Sequence, residues 1–251
     1  MLSALRLAFV VAGGLGLVSA AHADGLLYRL PADGTWVRYA LRQQTVPAPQ
    51  KNAVIVGTLT LASVGEEKVN NQACRWIEVV IDTKEPGGLG LKTVFKALIP
   101  ERRLQKGQNP SRYWLKGWGK LGDLPPQPLT RELLTNPAMI INLVVSGPLE
   151  SARDLPEKLI ETKLGKLECH GIAGTLTYPG AAVRLDKGKK TTKDLTVRVE
   201  TYLHETAPFG VLASRQQVTF PDFGSGASSV DMDLTLLDAG TDAKTELPDH
   251  Q

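Results

Sequence analysis

The 251-residue chain carries 29 Lys and Arg against 26 Asp and Glu, a formal net charge of +3, and is 42% hydrophobic. That near balance argues against a nucleic-acid-binding protein, which would show a clustered basic face. The length suffices for one large β domain or two small ones, with a sizeable core, since such a chain buries roughly 70% of its unfolded surface.

The first residues read as an export address. Arg6 supplies a positive start, residues 7–18 form a short apolar run, and Ala21-His22-Ala23 fits a small-x-small cleavage pattern. A signal peptide over 1–23 is expected, with Asp24 as the first mature residue. The run contains three glycines and falls short of the ~20 apolar residues a spanning helix needs. No Cys lies near the cleavage site, and no later stretch is apolar enough to span a bilayer. The expectation is a periplasmic or secreted protein with no stable membrane insertion after cleavage.

Turn chemistry at Pro31 and Asp33-Gly34 precedes an alternating segment, 35–43, with Val37, Tyr39 and Leu41 on one face. Residues 53–64 are β-branched, and Gly57 within them predicts a bulge or bend. After a polar turn at 69–71, residues 73–82 alternate again, placing Cys74 and Trp76 on one face. The glycine-rich stretch 86–90 reads as a turn, and 91–99 as a fourth strand. The composition then changes. Tyr113, Trp114 and Trp118 stand near helical spacing after Pro110, which suits a helix start. Residues 129–146 lean helical, interrupted at Pro137, although 139–145 are apolar enough for a buried strand as well.

Alternation returns from about residue 148. Segments 164–172 and 173–178 read as a strand pair or one bent strand. The clearest strand is 194–204, with Leu195, Val197, Val199 and Leu203 on one face. Segments 211–220 and 229–237 complete the pattern, and the polar tail 241–251 reads as disordered. The fold class expected is mostly β with a short helical insert near 100–146. It is one curved antiparallel sheet, half-barrel-like, forming a single domain over 24–240.

The segment LTVRVETYLHETAPFGVLASRQQVTF at 195–220 resembles the C-terminal hairpin of exported bacterial proteins with the LolA/LppX-like lipoprotein-carrier fold. The CHGI run at 169–172, and FKALIPE at 95–101 followed by the aromatics around Trp114, resemble that fold in position. The likeness covers about a third of the chain. It implies a curved antiparallel sheet wrapped around helices, with lipid or acyl chains carried in the concavity of some members.

Site chemistry is sparse. His170 and His204 could join Glu168 or Glu200 at a metal, but no HxH or HExxH spacing occurs and no metal site is expected. Ser225 does not sit in a GxSxG elbow, and neighbours Cys169 and His170 point to opposite strand faces. Asp231 and Asp233 share a strand face, and Glu66-Glu67 are adjacent; both read as solvated surface. Gly87-Gly88-Leu89-Gly90 lacks the Lys-Ser/Thr of a phosphate loop. The basic stretch 187–193 reads as a solvated hairpin tip. No catalytic motif and no cofactor are expected. Cys74 and Cys169 allow one intramolecular disulfide in an oxidising compartment, or two buried thiols in separate strands. Trp36, Trp76, Trp114 and Trp118 are core residues or the lining of an apolar groove. The partner expected is an apolar small molecule or another envelope protein.

Overall fold

The computed structural model describes residues 25–46, 54–84, 90–104, 110–130, 149–186, 189–222 and 228–247. The expected signal peptide, the greater part of the 129–146 segment and Ser225 lie outside them.

Among the described residues, eleven strands form one antiparallel sheet. They are β1 (Trp36–Val46), β2 (Val54–Val69), β3 (Gln72–Lys84), β4 (Gly90–Pro100), β5 (Lys116–Leu121), β6 (Gln127–Pro128), β7 (Glu150–Thr162), β8 (Gly165–Asp186), β9 (Lys189–Leu203), β10 (Val211–Phe220) and β11 (Ser228–Gly240). The spatial order is β6-β5-β4-β3-β2-β1-β11-β10-β9-β8-β7. The first and last strands therefore pair at the middle of the sheet, and the edges are β6 and β7, consecutive in sequence. Sheets this wide curl under their own twist. Lys163 Nζ, in the β7–β8 turn, reaches Asp238 Oδ2 of β11 at 3.1 Å although three strands lie between. Among the described strands the sheet bends strongly and does not close into a barrel.

Local chemistry sets the strand boundaries. Asn70 and Asn71 both adopt positive φ (50° and 62°), the conformation of a tight hairpin turn that asparagine tolerates. Gly57 does not mark a bulge. It pairs in register with Thr83, and a Cβ there would stand 2.0 Å from the Asp82 carbonyl oxygen, so close backbone approach requires glycine. The irregularity in β2 falls instead between Ser63 and Glu66. Apart from Leu164 in the preceding turn, segments 164–172 and 173–178 belong to the single long strand β8, whose register shifts between Tyr178 and Ala182. The edges resist further pairing: β6 is two residues long and follows Pro125-Pro126, and β7 carries Pro156 among charged residues.

The alternating apolar positions converge on the concave face. Val37, Tyr39, Leu41, Leu59, Leu61, Ile77, Val79, Ile81, Met232, Leu234 and Leu236 form one continuous core with Phe95, Ala97 and Ile99. Leu26, Leu27, Ala207 and Phe209, from outside the strands, join that core. The protein's own side chains thus fill the hollow over its central strands. Tyr39 is fully buried, donates its hydroxyl to the Val211 carbonyl at 3.2 Å, and has its phenol pKa pushed up by desolvation.

Two expectations are corrected. The helical insert is represented, among the described residues, only by short 3-10 turns at Glu101–Arg103 and Pro110–Tyr113, and Trp118 lies on strand β5. Gly117 and Gly119 flank Trp118, and a Cβ at Gly119 would press on Leu129 at 2.9 Å. Glycine weakens helix and admits close sheet contact, so the aromatic spacing there is not a helical face. The tail reading also fails for 241–247. This segment crosses the outer face of the sheet, and Leu247 is completely buried.

Candidate functional site

One register row crosses the outer sheet face. It runs Gly240–Trp36–Ala62–Glu78–Lys96–Trp118–Pro128, from β11 through β1 to β6. The C-terminal strap, residues 241–247, follows this row. Trp36 Nε1 donates to Asp242 Oδ1 at 2.7 Å. The Glu78 carboxylate, in a residue only 1% exposed, accepts from Thr245 Oγ1 (2.7 Å), Glu246 N (2.9 Å) and Leu247 N (3.2 Å). Lys96, equally buried, donates to the Leu247 carbonyl at 3.3 Å, and its ammonium stands 5.2 Å from the Trp76 ring centroid. Lys92 and Glu246 close the strap with a 2.6 Å ion pair. A groove of about 560 Å³ remains beside the strap. Its lining is dominated by Arg38, Asp82, Lys92, Lys244 and other polar side chains, many already engaged.

A second cleft, of about 610 Å³, opens at one end of the concave core. Tyr28, Leu30 and Leu104 give it an apolar floor continuous with the core, exposed Ala73 also lines it, and Arg29, Gln72, Glu101 and Arg102 supply polar groups. Three elements build it: the segment before β1, the start of β3, and the 3-10 turn after β4. Buried Arg75 fixes the rim. Its guanidinium donates to Glu101 Oε1 (2.8 and 3.2 Å), Glu66 Oε1 (2.8 Å), Ser63 Oγ (3.0 Å) and the Pro31 carbonyl (3.2 Å). Arg29 ties its guanidinium to the backbone carbonyls of Glu205, Ala207 and Pro208. The Gln72 side-chain nitrogen is buried with no acceptor among the described residues.

The tryptophans do not gather into one lining. Trp36 borders the outer groove, and Arg38 stacks 5.2 Å from its ring centroid. Trp76 lies on the same outer face, its indole N–H donating to Glu67 Oε2 at 3.2 Å. Trp118 pairs with Lys96 in that row, and Trp114 packs against the core. The end cleft is lined by other residues. The only signal for it in the chain is the cluster Tyr28-Arg29-Leu30, an apolar pair interrupted by a cation beside turn residues.

The remaining candidates are dispersed. Cys74 on β3 and Cys169 on β8 are both buried, and each carries a free thiol. Desolvation pushes both thiols up, which disfavours the reactive thiolate. His170 Nε2 lies 3.2 Å from Asp154, and His204 Nδ1 contacts Thr206 at 2.9 Å. Asp231 accepts from Gln217 at 2.9 Å, and Asp233 stands between Arg42 and Arg215 at 3.7 and 3.6 Å. Among the described residues, no three His, Cys, Asp or Glu side chains converge as metal ligands. No helix among them is long and apolar enough to cross a membrane.

No protein-family model matches the chain, and no curated protein matches it significantly. Solved structures overlap it at low scores. A provisionally assigned lipoprotein from Parabacteroides distasonis is 9% identical over 87% of this chain and 99% of its own, with a TM-score of 0.35. A LolA superfamily protein from Nitrosomonas europaea is 12% identical over 90% and 92%, with a TM-score of 0.30. A β-barrel-like protein of a domain of unknown function from Brucella abortus is 8% identical over 84% and 98%, at 0.23. At these scores the overlap identifies neither a family nor a ligand.

Proposed function

We propose that this is an exported binding protein that takes one apolar chain into the cleft at the end of its concave core. The observation that carries the reading is the apolar floor of Tyr28, Leu30 and Leu104, continuous with the core and open to solvent. The cleft volume falls in the range of small-molecule sites, roughly 300–1,000 Å³. Burying ten methylenes would contribute about 8 kcal/mol before the cost of ordering the chain, enough for an affinity of micromolar order or weaker. Because the central hollow is packed, the ligand lies at its mouth rather than along its length. Binding, not catalysis, is the activity in this reading.

The test is direct. Mature protein is extracted and the extract analysed for lipid by mass spectrometry, and a fluorescent fatty acid is titrated in parallel. Half-buried Leu30 can be made charged without gutting the core, so Leu30→Glu should weaken binding by about tenfold or more. Leu91→Glu, at an exposed position on β4, should change nothing. An empty extract together with no titratable binding would sink the reading.

A second reading is favoured by the packing of the central hollow: an envelope protein that contacts another protein and holds no small ligand. Failure of both binding assays, with one dominant protein captured by crosslinking in cells, would favour it.

A further inference from the structure

The end cleft contains two polar groups that the fold leaves unused. The Gln72 side-chain nitrogen is buried without an acceptor among the described residues. Such an orphan donor destabilises a folded protein unless something accepts its proton, so it asks for an explanation. Arg102 lines the same cleft, is exposed, and has no carboxylate within ion-pair distance among the described residues.

The charge around these groups is one-sided. Glu101 is the acid in the cleft wall, and its carboxylate is held by Arg75 at 2.8 Å. Arg29 spends its donors on backbone carbonyls, which leave its positive charge in place. The cleft lining thus combines an apolar floor with Gln72, whose buried amide nitrogen lacks an acceptor among the described residues, and with two arginines. Rotating the Gln72 amide would put an acceptor at the buried position, but the neighbouring cations still favour an anionic ligand group.

We infer that the cleft reads its ligand's head group, selecting an amphiphile that ends in an anionic oxygen acceptor held by Gln72 and Arg102. This rests on the reading that the cleft binds an apolar chain. Carboxylate and phosphate heads share the required chemistry: anionic oxygens that accept charge-assisted hydrogen bonds. A cationic head of the same chain length meets guanidinium groups and a single carboxylate, Glu101, already paired with Arg75.

Three twelve-carbon probes separate the possibilities: dodecanoate, dodecyl phosphate and dodecyltrimethylammonium, each titrated into the full mature protein by calorimetry. At least one anionic probe should bind about tenfold or more tightly than the cation, the scale of one hydrogen bond to a charged group. Whichever anion binds better identifies the source of the head group. Gln72→Leu and Arg102→Gln should each reduce the preference severalfold. Gln72→Glu, which keeps the shape but adds negative charge, should shift it towards the cation. Folding of each variant is checked by its thermal transition, and exposed Arg102 keeps the test open if Gln72 variants unfold. Equal binding of the three heads, or tighter binding of the cation, would overturn this inference while leaving apolar-chain binding intact. Binding of none of the three would overturn both.

Discussion

Glu78 and Lys96 sit opposite each other in the β3–β4 register, on the sheet face that alternation assigns to solvent. Both are buried because the strap covers them, and Glu78 receives three hydrogen bonds from it. Removing one member of a buried charged set leaves its partners desolvated and unpaired, at a cost of about 3 kcal/mol or more. Glu78→Ala should therefore lower the urea midpoint sharply. Glu161→Ala, which breaks only an exposed ion pair with Lys166, should change stability by about 0.5 kcal/mol or less. Equal small effects would show that the strap contributes nothing to stability. Asp242 gives a second residue-scale prediction. Donation from the Trp36 indole holds its carboxyl below the ordinary range, and Lys163 does the same for Asp238. A carboxyl lowered by folding stabilises the fold above the unfolded value of about 3.9 and loses that contribution as pH falls through its own lower value. The Trp36 indole N–H resonance should therefore titrate below about pH 3.9, and Asp242→Asn should abolish that titration.

Among the elements, the regular strands were legible because their apolar residues alternate. Val37, Tyr39 and Leu41, and Met232, Leu234 and Leu236, all face the core as that period requires. The strap was not legible. Residues 241–247 hold one large apolar side chain, Leu247, and their order depends on a carboxylate more than 160 positions away in sequence. No local pattern records such a contact. Trp118 misled for a related reason: its spacing from Tyr113 and Trp114 looked helical, while the strand is set by pairing with β4. The end cleft was hidden too, since it joins residues near positions 28, 72 and 102 that only the folded sheet brings together.

At the level of the whole molecule, β1 and β11 join two halves, β1–β6 and β7–β11, along a register from Trp36–Gly240 to Val46–Ser229. Both halves contribute to the shared concave core. A chain cut once within 131–148 should therefore stay associated, co-elute in gel filtration and keep the β-sheet circular dichroism of the intact protein. Separation of the fragments without denaturant would show that the central seam does not hold the halves by itself. Pairings so distant in sequence also predict slow folding, because long loops must close before their contacts form.

That central seam has a consequence for a chain delivered end first. The strand that emerges earliest has to wait, with one flank unpaired, for a partner lying within the last two dozen residues. Until Ser228–Gly240 arrive, the first half offers an open sheet margin and half a core. The fold therefore needs β11 in place before it is complete, and a chain truncated short of residue 228 would remain an unfinished, aggregation-prone sheet.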